Sequence, residues 1–211
     1  MYRLIVLLFC LLEETMWRLL LIFYTSFVCT CTSVLAQSLK FGPPTSIPAG
    51  WIAFCGRNPS QCSDTPTEPV RIIQDSNIFN ILISVNERIN HTIRPLSDIK
   101  HWGVEDQWDI PTDGYGDCED YALLKRKILI EKGLPVQALL MAVVRDSDGE
   151  GHAVLLILLD KETYVLDNLT DEVVGWHQTP YEFLKSQSLV NQNAWVALES
   201  DRRDASIAKQ K

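Results

Sequence analysis

The chain has 211 residues, of which 46% are hydrophobic and 22% charged, and its net charge is −8. This length suits one globular domain with a substantial core, and an aromatic content of 9% argues against a disordered chain. The excess of acidic residues provides no basic surface of the kind that binds nucleic acids, so we expect no nucleic-acid partner.

The first 36 residues have the composition of a targeting segment. Two apolar runs are separated by a polar stretch that contains Glu13 and Glu14. The second run ends in small residues at Val34 and Ala36, a pattern typical of signal-peptide cleavage. We expect export with cleavage after Ala36, and Met16 as the true start would give a signal of ordinary layout. A retained membrane anchor is the alternative, although about ten apolar residues are short for a membrane span.

Removal of this segment leaves Cys55, Cys62 and Cys118 of the six cysteines. In an oxidising compartment two of them would pair, and Cys55 and Cys62 are close enough in sequence to form a disulfide. Cys118 is then an unpaired thiol in an exported protein, which calls for an explanation.

Helical signals dominate the first half of the remaining chain. Residues 37–68 are rich in proline, serine and threonine and are interpreted as an extended lead-in that carries the candidate disulfide. Apolar residues at a helical period predict a helix over 77–93. Residues 94–117 are interpreted as a loop. A second helix is predicted over 118–132, with Gly133 as its C-cap.

The second half changes to a strand-like pattern. Short apolar runs divided by polar turns predict adjacent antiparallel strands over 136–145, 153–159 and 164–166. Thr179 and Pro180 form a helix-start pattern, so a short helix is predicted after them. A last strand is predicted over 194–198. The prediction is an α+β domain over 69–200, with N-terminal helices packed on an antiparallel sheet and a polar tail over 201–211.

Cys118 lies where a glycine-containing loop enters a predicted helix. Aligned backbone dipoles at a helix N-terminus stabilise a thiolate, which is the nucleophilic form of cysteine. Asp117, Glu119 and Asp120 oppose this effect because each adds negative charge. An imidazolium or a bound cation is therefore needed beside Cys118.

His152 and Asp167 are candidates for the other members of a catalytic triad, since His152 begins one predicted strand and Asp167 ends the next. If the intervening turn centres on Asp160 and Lys161, Asp167 is a diagonal neighbour of His152 and lies within side-chain reach. If the turn centres one residue later, the two are separated by four positions, roughly 13 Å. Each residue alone has a common structural explanation, but the three in this order favour catalysis. We then expect the Cys118 thiol within hydrogen-bond reach of His152.

Three segments resemble the bacterial transglutaminase-like cysteine proteinases. They are 116–122 (GDCEDYA), 151–155 (GHAVL) and 166–168 (LDN). Within this family the chain is most similar to the periplasmic proteases that cut large biofilm adhesins from the cell surface. The segment 51–62 (WIAFCGRNPSQC) is similar too, so that the resemblance covers about residues 50–198.

The resemblance implies a papain/transglutaminase-like fold and peptide hydrolysis through a thioester acyl-enzyme. Cys118 would be the nucleophile, His152 the general base and acid, and Asp167 the orienting carboxylate. The family binds Ca²⁺ beside the nucleophile, which implies that Asp117 and Glu119 are ligands here. Such an ion would also offset the acidic charge around Cys118.

Two further features are open to more than one interpretation. Trp108 lies in a polar loop, either as an exposed interface anchor or folded over the core. The resemblance implies that it inserts into the periplasmic domain of an inner-membrane cyclic-di-GMP receptor, which would sequester the protease. Residues 146–149 resemble the start of an EF-hand loop but lack its later ligands, and are interpreted as a hairpin turn.

We therefore expect a periplasmic, calcium-assisted cysteine endopeptidase that cuts near the N-terminus of a large repeat adhesin and promotes biofilm dispersal. One alternative is transglutaminase-type acyl transfer, because it uses the same triad and thioester. Others are an exported binding module in which Cys118 is structural, and a membrane-tethered adaptor that keeps its N-terminus.

Overall fold

The computed structural model describes residues 39–62 and 65–199. Two predicted segments lie outside these residues and stay predictions. They are the signal segment over 1–36, including Met16 as the true start, and the tail over 201–211. Within the described ranges, no helix is long and apolar enough to cross a membrane.

Seven strands of the described residues form one antiparallel sheet. They are β1 (Lys40–Thr45), β4 (Leu139–Arg145), β5 (Gly151–Leu158), β6 (Thr163–Leu166), β7 (Val174–Gly175), β8 (Glu182–Gln187) and β9 (Trp195–Glu199). Their spatial order is β1-β9-β8-β4-β5-β6-β7. The continuous apolar run of β5 is buried from its second residue to its end, as expected for a central strand. A short parallel pair, β2 (Arg94–Pro95) and β3 (Tyr115–Gly116), lies outside this sheet.

Four helices accompany the sheet in the described part of the chain. They are α1 (Ala49–Arg57), α2 (Ser76–Thr92), α3 (Asp98–His101) and α4 (Cys118–Glu131). The helix α4 packs against both β5 and α2. Gly133 follows α4 with a φ of +90°, which confirms its predicted role as C-cap.

The predictions for α2, α4 and the strands β4, β5, β6 and β9 are confirmed within one to three residues at each end. The strand β5 pairs antiparallel with both β4 and β6, as predicted. The region 94–117, which we expected to be a loop, also contains α3 and the β2–β3 pair. The domain is therefore α+β, as predicted.

The lead-in is not simply extended, and that prediction is wrong for α1. The side chains of Trp51 and Phe54 are buried in the core, and the strand β1 pairs with β9 in the main sheet. The ring of Trp51 lies 6.4 Å from that of Trp195. The prolines and serines of this segment lie outside α1. The apolar face of α1 is buried, so that residues 39–62 belong to the core. The candidate disulfide is confirmed: Cys55 at the end of α1 is bonded to Cys62.

The prediction of a helix after Thr179 and Pro180 is also wrong, because this segment forms the strand β8. The hydroxyl of Thr179 donates to the carbonyl oxygen of Trp176 at 2.8 Å, closing a preceding 3₁₀ turn instead of starting a helix. β8 lies between β4 and β9 and pairs with both. Two flanking strands therefore outweigh a local helix-start pattern.

Trp51 provides a test of the core. Trp51→Ala should lower the free energy of unfolding by about 3–5 kcal/mol, because the cavity left by a buried aromatic ring is only partly refilled. Urea unfolding measures the change. Ile52→Ala is the matched control, since Ile52 is the next residue of α1 and is 58% exposed. It should change the stability by less than about 0.5 kcal/mol, and equal effects of the two substitutions would contradict the packing described.

Candidate active site

Cys118 is the first residue of α4, and its thiol has two partners. The Sγ atom lies 3.1 Å from Oε2 of Glu119, to which it donates. It also accepts the backbone N–H of Ala153 in β5 at 3.4 Å. The thiol is thereby fixed between the start of α4 and the start of β5.

Burial and the acidic neighbours of Cys118 oppose the stabilisation of a thiolate at the start of α4. Burial raises the pKa of the Cys118 thiol well above its ordinary value, and the charge of Glu119 and the hydrogen bond to it raise this pKa further. Because burial is the largest cause of this rise, the thiol is neutral at physiological pH in this structure.

His152 and Asp167 lie together at the same end of the neighbouring strands β5 and β6. The pairing of Leu155 with Leu166 places the turn between β5 and β6 at Asp160 and Lys161, the first of the two registers considered above. The Nε2 atom of His152 lies 2.9 Å from Oδ1 of Asp167. The strand register thus brings the two residues into contact.

Asp167 is held by further hydrogen bonds. Its Oδ1 accepts the backbone N–H of Leu169 at 3.0 Å, and its Oδ2 accepts the hydroxyl of Tyr181. Burial favours a higher pKa for Asp167, but the hydrogen bonds and the charge of His152 outweigh it and lower the pKa. Asp167 is consequently an ionised acceptor that orients the imidazole.

Tyr181 was missed by sequence reasoning. Its hydroxyl is bonded to Asp167 and its ring centroid lies 5.4 Å from that of His152. Its position directly before β8 gives it this contact. Since the segment was predicted to be a helix, no sequence signal placed it near the site.

Cys118 and His152 line one open cleft of about 280 Å³, together with Trp108, Val143 and Lys185. The direct hydrogen bond that we expected between the thiol and His152 is not formed in this structure, because the thiol is bonded to Glu119 instead. As Nε2 of His152 is engaged by Asp167, Nδ1 is the ring atom left for proton exchange with the thiol.

Three carboxylates form a cluster close to Cys118. One oxygen each of Asp98, Asp117 and Glu119 lies within 4.8 Å of the other two. Oδ1 of Asp98 and Oδ1 of Asp117 are buried and accept no hydrogen bond. Burial, followed by the charge of Asp117, raises the pKa of Glu119 to about 8.

Asp98 is a second residue that sequence reasoning missed. It is the first residue of α3, in a region predicted to be a loop, and its backbone N–H donates to Oδ2 of Asp117 at 3.1 Å. Burial also raises the pKa of Asp98. Three clustered carboxylates with two unused oxygens fit a hard cation such as Ca²⁺, which takes oxygen ligands.

Of the two interpretations of Trp108, the structure confirms the one in which the side chain is folded over the core. The side chain is 3% exposed and its ring lies 6.3 Å from that of Trp51 and 6.2 Å from that of Trp195. Its Nε1 donates to Asp106 at 2.7 Å, and a Cβ on Gly50 would lie 2.1 Å from its ring. Trp108 is therefore part of the core and also lines the cleft.

The hairpin turn over 146–149 is confirmed. Oδ1 of Asp146 accepts the backbone N–H groups of Asp148 and Glu150, each at 2.9 Å, and Gly149 has a φ of +88°. The aspartate thus caps its own turn.

A model of the bacterial transglutaminase-like cysteine proteinases matches residues 41–203. The chain belongs to this family. The match includes α4, β5 and the end of β6, which carry Cys118, His152 and Asp167. Membership confirms the family resemblance found in the sequence and the papain/transglutaminase-like fold class.

Solved structures similar to this transglutaminase-like cysteine proteinase include Legionella pneumophila LapG. One LapG structure is 24% identical, with 53% of this chain and 64% of that chain covered and a TM-score of 0.46. A calcium-bound LapG is 23% identical, with 64% and 81% covered and a TM-score of 0.49. An EGTA-treated LapG is 22% identical, with 55% and 72% covered and a TM-score of 0.46. The chain thus spans less than two thirds of the first of these structures. A search of curated proteins gives no match.

The buried carboxylates of this transglutaminase-like cysteine proteinase predict a pH-dependent stability. Burial raises the pKa of both Glu119 and Asp120 to about 8, from 4.5 and 3.8 respectively. The unfolded chain releases these protons at about pH 4–5, whereas the folded protein keeps them until about pH 8. In EDTA, the free energy of unfolding should therefore fall as the pH rises from about 5 to about 8.

Urea unfolding at several pH values measures this slope. Glu119→Gln should reduce it, because the substitution removes one of the two groups. Glu150→Gln, on the hairpin turn, is the matched control and should keep the wild-type slope. A stability that is flat or rising over this range in EDTA would rule out the assigned protonation states.

Proposed function

We propose that this protein is an exported cysteine endopeptidase with Cys118 as nucleophile, His152 as general base and acid, and Asp167 as the orienting carboxylate. The observation that carries the proposal is that Cys118 and His152 line one cleft and that His152 is hydrogen-bonded to the buried Asp167. Membership in a cysteine proteinase family supports it.

The proposed reaction uses these residues in two steps. His152 takes the thiol proton while Sγ of Cys118 forms a bond to the carbonyl carbon of the substrate. His152 then gives this proton to the leaving amine, the peptide bond breaks and a thioester remains on Cys118. In the second step His152 takes a proton from water, whose oxygen forms a bond to the thioester carbon. The C–S bond then breaks, the product leaves with a new carboxyl group, and His152 returns the proton to Sγ. Asp167 holds the imidazole in the required orientation throughout.

We propose further that Asp98, Asp117 and Glu119 hold Ca²⁺. Their clustered oxygens support this assignment. When bound, the ion supplies positive charge that offsets the three carboxylates. Glu119 would then serve as a ligand and would no longer accept the hydrogen bond of the thiol. Cys118 is thereby free to give its proton to His152.

Direct binding tests the calcium proposal. Asp98→Asn and Glu119→Gln should each weaken Ca²⁺ binding by about tenfold or more, because each removes a charged ligand. Isothermal titration calorimetry measures the affinity without any substrate. Asp148→Asn, on the hairpin turn, should bind as the wild type does. A wild-type affinity in both site variants would exclude this cluster as the calcium site.

For the substrate, we propose the N-terminal region of a large repeat adhesin, cut in the periplasm with biofilm dispersal as the result. The similarity of the segments around Cys118, His152 and Asp167 to adhesin-cutting proteases supports this choice. We also propose control by the periplasmic domain of an inner-membrane cyclic-di-GMP receptor. Trp108 stays a proposed contact residue, because its side chain, although only 3% exposed, lines the cleft.

Cleavage of an N-terminal adhesin fragment tests the reaction. Cys118→Ala should reduce the cleavage rate by about a thousandfold or more, because it removes the nucleophile. Gel electrophoresis follows the products, and circular dichroism checks that the variant is folded. Cleavage by Cys118→Ala at the wild-type rate would contradict the proposal.

A labelled amine in the same reaction separates hydrolysis from acyl transfer. Hydrolysis predicts two unlabelled products. Label incorporated into an uncut fragment would instead identify a transglutaminase-type reaction, since both reactions share the thioester.

A further inference from the structure

Lys185 of β8 is a cleft side chain that the proposed reaction does not use. Among the described residues that line the cleft, it is the only lysine or arginine. Its Nζ atom donates to two oxygens of Ser46, the backbone carbonyl oxygen at 3.0 Å and Oγ at 3.3 Å. Both acceptors are neutral, and an ammonium has three donors. Ser46 therefore fixes the ammonium but leaves its charge and one donor without a partner among the described residues.

The carboxylates that line the same cleft are occupied by other groups. Oδ1 of Asp106 accepts the Nε1–H of Trp108 at 2.7 Å, and Oδ2 accepts the backbone N–H of Gly50 at 3.1 Å. Glu119 accepts the hydrogen bond of the thiol. The positive charge of Lys185 is therefore open to a carboxylate from outside the chain.

A β-bulge in β8 determines the face on which Lys185 lies. The register between β4 and β8 shifts after Val144, because Leu184 is an extra residue in β8. Lys185 therefore pairs with Val143, whereas without the bulge it would lie opposite Ala142. Side chains alternate between the two faces of a strand, and Ala142 is fully buried while Val143 lines the cleft. The bulge thus turns the ammonium from a buried face to the cleft, a role that bulges often have beside functional sites.

A row of paired residues connects Lys185 with the thiol. Lys185 pairs with Val143 of β4, which pairs in turn with Ala153 of β5. The side chains of directly paired residues lie on the same face, and all three residues line the cleft. The backbone N–H of Ala153 donates to Sγ of Cys118 at 3.4 Å. The row therefore leads across the sheet from the proposed nucleophile to the ammonium.

The spacing of the strands sets the distance between these two ends of the row. Neighbouring strands lie about 4.8 Å apart, so that Lys185 and Ala153, two strands apart, are separated by about 10 Å. An extended peptide advances about 3.3 Å per residue. A substrate that follows the row would thus bring a side chain about three residues from the scissile bond close to Lys185.

We propose that Lys185 is a specificity-determining residue, whose ammonium binds an aspartate or glutamate side chain of the substrate about three residues from the bond that is cut. This inference rests on the proposed endopeptidase function and names the substrate class of the same cleft. A lysine or arginine at this substrate position would be repelled. The hydrogen bonds to Ser46 hold Nζ in place, so that less side-chain freedom is lost when the substrate binds.

The binding of two blocked alanine peptides, which differ only in a central Glu or Gln, tests the proposal. The protein carries Cys118→Ala so that no peptide is cut, and NMR of its ¹³C-labelled valine methyl groups reports binding at Val143. The Glu peptide should bind about threefold more tightly or more, because it alone forms an ion pair with Lys185. This difference should decrease at high salt concentration, since salt screens a partly exposed ion pair.

Matched variants of the same protein assign the preference to its cause. Lys185→Gln should bind both peptides equally, and Lys185→Glu should prefer a peptide with a central Lys. Lys185→Arg keeps the charge and should keep the preference for Glu. Lys161→Gln is the control, because Lys161 is exposed in the turn between β5 and β6, at the opposite end of β5 from His152. Circular dichroism checks that each variant is folded.

Equal affinities of the Glu and Gln peptides would overturn the proposal, and so would the absence of any shift of the Val143 signals with either peptide. A preference for Glu that persists in Lys185→Gln would also overturn it, because the ammonium would then not be the cause. Binding is measured without cleavage. A protein that prefers the Glu peptide but does not cut the adhesin fragment would therefore contradict the proposed function, whereas cleavage without this preference would contradict the role of Lys185.

Discussion

The concentration of carboxylates around the first turn of α4 is the constraint on which the active site depends. A helix N-terminus stabilises a negative charge by typically 0.3–1 kcal/mol, whereas each unit of pKa corresponds to about 1.4 kcal/mol. Burial and the charge of Glu119 raise the pKa of Cys118 well above its ordinary value, so the dipole alone cannot produce a thiolate. The nucleophile therefore needs a positive charge that its own helix does not provide. The oxygens of Asp98, Asp117 and Glu119 are the place where such a charge would bind.

The sheet supplies the other half of the site through its register. β5 contributes the N–H of Ala153 to the thiol and the imidazole of His152 to the cleft, and Asp167 directly follows β6. A shift of one residue between β5 and β6 would turn Asp167 to the opposite face of the sheet. The turn at Asp160 and Lys161 is thus as important for the site as the three proposed catalytic residues. Tyr181 then fixes the second oxygen of Asp167 from the start of β8.

Local patterns in the sequence were sufficient to predict a large part of this structure. The helices α2 and α4 and the central strands follow from apolar periodicity, because their burial repeats with their own geometry. The short separation of Cys55 and Cys62 made their disulfide a candidate. The triad residues could be proposed because they lie at the ends of elements whose order was already predicted.

The errors and the open alternatives arose where distant contacts decide the outcome. β8 follows a helix-start pattern at Thr179, but its two neighbouring strands determine its conformation. Trp108 lies in a polar segment, and only its packing against Trp51 shows that it belongs to the core. Asp98 comes from a separate helix, α3, so that no spacing relative to Cys118 indicated it.

The alkylation rate of Cys118 by iodoacetamide, as a function of free Ca²⁺ at neutral pH, tests the central claim most directly. The other cysteines of the described residues are joined in a disulfide, and mass spectrometry of the labelled peptide identifies the site. We predict slow alkylation in EDTA, where the thiol is neutral and bonded to Glu119, and a rate about tenfold higher or more at saturating Ca²⁺. A rate that is the same in EDTA and in Ca²⁺ would contradict the account.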